Sequence, residues 1–322
     1  MDYSPISLDE STIHLASTHL TRCRTDSSIP LARRVYTDAQ SFADLFPSQK
    51  FALTSVAKGI ERGRLLCSYS AAVVLDLPIP STIPTHCWAS NGHHQGSHWL
   101  THRLPSDRES MATQLKTNLG TVLSTSIPHT IADISRLHSM EDALCVADAA
   151  LFGHRCTSHE LELTLQQSAG LNGVHRMRIV TALASPGSES PGESRMKYQL
   201  WTNNFPAPIL QAVICDQHGT FIGKVDLFYP DYGVVLEYDG RDKYTPRYGH
   251  QPEETIVSER LREKLLTNSG LLVLRVTAEN LATGVWLGEL AETIGHRAAA
   301  PNLGIARTYQ WSKGYTVSFP RF

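Results

Sequence analysis

What the chain does not contain narrows it first. No apolar run approaches the ~18 residues of a membrane-crossing helix, so no membrane partner is expected. The opening stretch MDYSPISLDEST has neither a basic n-region nor an apolar h-region, and nothing there marks export. Six cysteines (Cys23, Cys67, Cys87, Cys145, Cys156, Cys215) are scattered without a CxxC pair. That usage fits buried free thiols in a reducing cytoplasm better than a disulfide or zinc framework. Neither sign of charge dominates: 29 Lys+Arg stand against 31 Asp+Glu, with a pI near 6.7. Any basic surface for nucleic acid must therefore be local. GxSxG, Walker-type and GxGxxG signatures are absent, and there is no internal repeat. What is present is material for a large core, with 41% hydrophobic content in 322 residues. That length suggests two domains.

The stretch 223–240, GKVDLFYPDYGVVLEYDG, is the most informative. Two apolar, β-branched and aromatic runs, Lys224–Tyr229 and Val234–Asp239, flank Pro230-Asp231-Tyr232-Gly233, which is turn chemistry. The pattern predicts a β-hairpin. Symmetric pairing around a four-residue loop sets Tyr229 against Val234, and counting back sets Asp226 against Glu237. Opposed residues have Cβ atoms roughly 5 Å apart, where like charges repel. Side-chain alternation adds Asp239 to the same face. Three carboxylates on one patch of a hydrophobic ribbon raise at least one pKa or recruit a cation. A hard divalent ion with oxygen ligands, Mg²⁺, keeps all three charged. Carboxylates pointing to solvent are the competing reading.

Along the chain, Leu8–Thr21 is a helical candidate, Ala32–Tyr36 a strand, and Ser48–Arg62 and Ser68–Leu75 helices. Thr85–Ser90 and Ser97–Leu104 read as strands around the tip NGHHQG, with Val122–Ser126 another. From Pro128 to Leu183 the pattern is helical, with a Thr157-x-x-Glu160 capping box. Ser185–Ser194, SPGSESPGES, reads as a linker. The domains are therefore placed at 1–184, a mixed α+β domain, and 185–300, with a tail at 301–322. The second half reads as a helix over Glu193–Trp201, strands at Ile209–Cys215, Thr220–Tyr229 and Val234–Asp239, and a helix from Pro252 to about Asn268. Next come a doubly buried strand at Leu271–Val276 and a helix within Ala282–Ala298. The order α-β-β-β-α-β-α implies three layers.

These residues resemble a known group. Glu193 opening a helix, Val225-Asp226 on a strand and Glu237-x-Asp239-Gly240 on the next are three blocks of the match. The fourth is Arg262-Glu263…Leu266…Gly270…Val273-Leu274-Arg275-Val276-Thr277. Together they look like the PD-(D/E)XK nuclease superfamily, especially domains related to very-short-patch repair endonucleases. The resemblance covers roughly residues 187–285 and implies an α/β nuclease domain with an αβββαβ core. The first half resembles the middle region of actinobacterial proteins that join such a domain to an AbiEi-antitoxin-like portion. Arg33-Arg34-Val35-Tyr36, Ser70-Ala71-Ala72, Thr130-Ile131-Ala132-Asp133 and Val146–Leu151 carry that match. Those relatives begin with a winged helix-turn-helix, for which about thirty residues before Arg33 are too few.

The resemblance implies Mg²⁺-dependent hydrolysis of a DNA phosphodiester, with Mn²⁺ as substitute metal. Asp226, Glu237 and Asp239 would hold metal that polarises phosphate and activates water. Glu193 is either a further ligand or an ordinary helix-start acid. Asp239 stands where the motif lysine belongs, leaving Lys224 and Lys243 as alternative cations for the transition state, each also readable as solvated. Arg262 either reaches the site or pairs with a nearby Glu. Arg241, Arg247 and Lys264 are candidate phosphate contacts. A protein partner or homodimer fits a two-strand cut. The alternative is a non-catalytic DNA-binding or antitoxin-like regulator on a nuclease scaffold. His86, His93, His94, His98 and His102 lack the spacing of a tetrahedral zinc site, and His154, Cys156 and His159 read as helix-boundary residues.

Overall fold

The structure is a computed structural model and describes residues 11–80, 86–89, 94–95, 99–103, 112–240, 253–299, 308–312 and 314–321. The chain is mixed α/β and divides into two compact units between Thr181 and Ala182. No helix among the described residues is long and apolar enough to cross a membrane.

In the N-terminal unit, α1 (Thr12–His19) is capped by Ser11, whose side chain accepts from the His14 N–H. Next come β1 (Ser28–Ala32), β2 (Val35–Asp38), α2 (Ala39–Ala43), α3 (Pro47–Arg62) and α4 (Ser68–Val74). The single strand expected at Ala32–Tyr36 is instead the tip of the β1–β2 hairpin, because Arg34 turns the chain at φ 58°. Then follow β3 (His86–Ala89), β4 (His94–Gln95), β5 (Trp99–His102), β6 (Thr113–Thr117) and β7 (Gly120–Ser124). β3 and β5 are parallel rather than a simple hairpin, since β4 forms the antiparallel partner of β5. Four helices complete the unit: α5 (Ile127–Leu137), α6 (Met140–Phe152), α7 (Ser158–Gln167) and α8 (Val174–Leu183). The capping box at α7 forms both bonds, Glu160 N–H to Thr157 Oγ1 at 3.2 Å and Thr157 N–H to Glu160 Oε2 at 2.7 Å.

The C-terminal unit opens with α9 (Pro191–Thr202), β8 (Ile209–Asp216), β9 (Phe221–Tyr229) and β10 (Val234–Asp239). It continues with α10 (Glu253–Asn268), β11 (Leu272–Thr277), α11 (Ala278–Thr283), α12 (Trp286–Ala299), β12 (Tyr309–Ser312) and β13 (Tyr315–Thr316). The sheet runs β11-β10-β9-β8-β12, with β13 also on β8. β8, β9 and β10 form an antiparallel meander, and β11 returns parallel to β10 after the α10 crossover. Burial is two-sided. Met196 and Leu200 of α9 pack with Leu210, Leu227, Leu236 and Val276, while Leu266 of α10 packs with Ala212, Val225, Phe228 and Val235. The sheet thus lies between two helix layers.

Three sequence expectations change here. Ser185–Ser194 is not a loose linker, since Ser185, Gly187, Ser188 and Pro191 to Ser194 are buried. A Cβ on Gly187 would meet the Tyr315 ring at 2.6 Å, so its glycines serve close packing rather than flexibility. β11 is only half-buried, with Val276 its one buried residue. The stretch assigned to a tail instead extends the sheet through β12 and β13 on the outer edge of β8.

Candidate functional site

The chemistry-bearing side chains gather where α9 begins and where β9 and β10 part. Ser190 caps α9, accepting from the Glu193 N–H at 3.3 Å and donating to Glu193 Oε1 at 2.7 Å. The Glu189 N–H and Gln211 Nε2 both donate to Glu193 Oε2 at 2.9 Å. Glu193 is thereby bent over its own helix start and is 6% exposed. Burial first, and then the charge of Asp226, push its carboxyl up to about 8, outweighing the Glu189 and Ser190 hydrogen bonds. Two carboxyl groups are held close enough to oppose each other's ionisation.

The hairpin register is the expected one over its first three pairs, Val234 with Tyr229, Val235 with Phe228 and Leu236 with Leu227. The ladder stops there. Where Asp226 would face Glu237, its Oδ2 instead accepts the Tyr238 N–H at 2.9 Å, a carboxylate in the place of a backbone carbonyl. Opposite Asp226 on β8, Gln211 has φ 53°. That left-handed conformation is unusual within a strand. The side-chain faces switch at this point: Val225 and Ala212 join the α10 layer, Leu227 and Leu210 the α9 layer.

The switch corrects the expectation of one shared carboxylate patch. Val235 lies in the α10 layer, and alternation along β10 carries Glu237 and Asp239 to that side. Glu237 is 8% exposed, and Arg262 Nη2 lies 3.0 Å from both of its oxygens. Arg262 also donates from Nη1 to the Lys224 carbonyl at 3.1 Å. It runs over Gly223, where a Cβ would come 2.9 Å from its Cδ. Of the two sequence readings of Arg262, it both reaches the site and pairs with a glutamate. Arg275 sits beside Glu237 on β11 and bonds Glu263 at 2.8 Å. Burial lowers the Arg275 pKa, but Glu263, Glu237 and Asp239 outweigh it and raise the net value. Asp239 Oδ1 is buried with no hydrogen-bond partner among the described residues. Asp226, Glu237 and Asp239 do not form a group with ligand atoms within 4.8 Å of one another.

Lys224 is exposed and pairs with Glu189. Lys243, Arg241 and Arg247 lie outside the described residues, and Lys264 is exposed on α10. Sequence reading passed over Lys197, which is wholly buried on α9 with Nζ 3.2 Å from Ser188 Oγ. Its signal was spacing, since Glu193 and Lys197 are four apart on one helix face.

Of the histidines, His86 bonds Ser55 at 2.9 Å and stacks on Phe51, while His93 and His98 lie outside the described residues. His154 and His159 are helix-boundary residues as read, at the ends of α6 and α7. His102 departs from the sequence reading, lying near His138 and Cys87 in the N-terminal unit.

No family model and no solved structure matches the chain. Two curated relatives do, both described as uncharacterized proteins: MT2308 of Mycobacterium tuberculosis (strain CDC 1551 / Oshkosh) and Rv2248 of Mycobacterium tuberculosis (strain ATCC 25618 / H37Rv). Each is 30% identical over 117 residues, 36% of this chain and 43% of the relative, so the chain spans less than half the length of the relatives it matches.

Proposed function

We propose that the C-terminal unit is a metal-dependent DNA endonuclease of the PD-(D/E)XK kind. The observation that carries the reading is the Glu193–Asp226 pair, a buried carboxyl pushed up to about 8 beside a second acid. It lies where the β9–β10 ladder opens and the Gln211 backbone takes a rare conformation. Perturbed acids and backbone strain both cluster at functional sites. The order α9-β8-β9-β10-α10-β11 supports the same reading.

Glu193 and Asp226 fit a hard divalent cation, because their mutual opposition is relieved by positive charge and their donor atoms are carboxylate oxygens. Mg²⁺ would be held by this pair, while Glu237 and Asp239, on the α10 side, form no ligand group with Asp226. When bound, the ion supplies polarisation of a phosphate oxygen and a more acidic water. The chain's own residues then do the following. Gln211, Ser190 and the Glu189 N–H orient the Glu193 carboxyl. Tyr238 N–H fixes Asp226. Lys197, four residues past Glu193, is the cation proposed in place of the missing motif lysine. Arg262 balances Glu237 and positions it.

The second reading, a regulator that binds DNA without cutting it, is favoured by the ion pairs Arg262–Glu237 and Lys224–Glu189, which neutralise residues a nuclease would use. Supercoiled, linear, mismatched and single-stranded DNA incubated with Mg²⁺ or Mn²⁺ separates the two. Cleavage that needs metal and is lost in Asp226→Ala and Glu193→Gln supports the nuclease. Metal-independent cleavage, or cleavage retained in both variants, overturns it, and binding without cleavage supports the regulator.

A further inference from the structure

The N-terminal unit contains a second group of ligating side chains, independent of the nuclease reading. Cys87 lies in β3 and is wholly buried, and His102 closes β5 and is 4% exposed. The parallel register sets Cys87 against Leu100 and Ala89 against His102, so the thiol and the imidazole share a face of this small sheet. His138 follows α5 directly, its N–H on the Ile134 carbonyl and its own carbonyl accepting from Arg176. The ligand atoms of Cys87, His102 and His138 all lie within 4.8 Å of one another.

The spacing of the two imidazole nitrogens suits a metal. Nε2 of His102 and Nε2 of His138 are 3.2 Å apart, with the rings edge-on at 88°. Two imidazole nitrogens on one tetrahedral zinc, each about 2.0–2.1 Å from it, stand about 3.3 Å apart, and a thiolate at about 2.3 Å lies about 3.6 Å from each. A bond between two neutral imidazoles also gives 3.2 Å, but it does not require a thiol at the same point. One sulfur and two imidazole nitrogens are a borderline-soft set, suited to Zn²⁺ and poorly suited to Mg²⁺ or Ca²⁺. The wholly buried Asp133 pairs with Arg136 at 3.7 Å. The Cys87 N–H is fixed by Ser70 Oγ at 2.9 Å, and Tyr69 stacks at a tilt on His138, its hydroxyl donating to Asp142 at 2.8 Å. These contacts hold the Cys87 backbone and the His138 ring in place.

We propose that Cys87, His102 and His138 bind one Zn²⁺, with a fourth position open to water, and that the ion staples the β3–β5 sheet to the end of α5. The three ligands come from segments 87, 102 and 138, whose irregular spacing hides the site from motif reading.

The test is metal analysis of the full chain purified without chelator, followed by removal of metal and reloading with Co²⁺. One zinc per chain is expected, and one equivalent of Co²⁺ with thiolate-to-cobalt charge-transfer absorption. Cys87→Ser removes that absorption, His138→Asn weakens Zn²⁺ binding at least about tenfold, and Cys145→Ser changes neither. A wild-type chain that takes up no metal from micromolar zinc overturns the proposal. So does a cobalt complex without the thiolate band, or one whose band survives Cys87→Ser. The wild-type spectrum decides the matter even where a variant fails to fold.

Discussion

Gly192 lies so close to the ring of Tyr238 that a Cβ on it would fall 2.2 Å from Cε1. The contact seats the first turn of α9 on β10, one residue from Glu193 on one side and one residue from both Glu237 and Asp239 on the other. Tyr238 is also the residue whose N–H holds Asp226. The glycine therefore sets the spacing between the helix that carries one acid and the strand that fixes the other.

Gly192→Ala is expected to destabilise the protein by about 1–3 kcal/mol, the usual range for overpacking. The same substitution in a Tyr238→Leu background is expected to cost less, since the ring is the obstacle. Urea melts of the four proteins measure the coupling. Equal costs in both backgrounds would show that the close approach does not govern the packing.

A second expectation concerns pH. Glu193 has a folded pKa of about 8, above its ordinary 4.5. Between those values the folded chain keeps a proton that the unfolded chain has lost, so stability falls as pH rises. The contribution of Glu193 is greatest below about 4.5, declines from there to about 8, and stays flat above. Glu193→Gln removes the decline, and at pH 8 the variant is expected to be the more stable, by at most about 5 kcal/mol. At pH 4 the two proteins are expected to match. Mg²⁺ flattens the wild-type slope by favouring the ionised carboxylate. Denaturation from pH 4 to 9 with and without Mg²⁺ tests all three statements, and a slope unchanged in the variant assigns the effect to another group.

Local chemistry explains what could be read from sequence. The turn residues Pro230 to Gly233 set the hairpin register, and Thr157 with Glu160 set the start of α7, because each depends on neighbours a few positions away. The apolar runs of β8, β9 and β10 announced the meander for the same reason. The failures are all non-local. Alternation along β9 predicted a common face for Asp226 and Glu237, but it cannot register that Gln211 on the adjacent strand adopts φ 53° or that the faces switch there. The Ser, Pro and Gly of 185–194 look like a linker until Tyr315 and Tyr238 are found against Gly187 and Gly192. Lys197 was visible on its helix, but its burial depends on what the sheet brings to that face. The trio of Cys87, His102 and His138 spans three elements, and no spacing rule joins them.

Lys197 gives the most discriminating prediction. A buried lysine replaced by methionine of similar length loses a charge that is costly to keep out of water, so Lys197→Met is expected to be neutral to stabilising. Each bond it loses, the 3.2 Å contact with Ser188 Oγ among them, subtracts about 1 kcal/mol. If the ammonium stabilises the phosphoryl transition state, cleavage falls by about 10²–10³-fold, mainly in kcat, while the melting temperature is kept or raised. A structural role moves these readouts the other way, lowering the melting temperature with little change in kcat for the folded fraction. Lys224→Met is the comparison, since that side chain is exposed and paired with Glu189. It is expected to change kcat less than about threefold, within what a surface ion pair is worth. Cleavage that survives Lys197→Met but not Lys224→Met would transfer the role to Lys224 and remove the buried lysine from the mechanism.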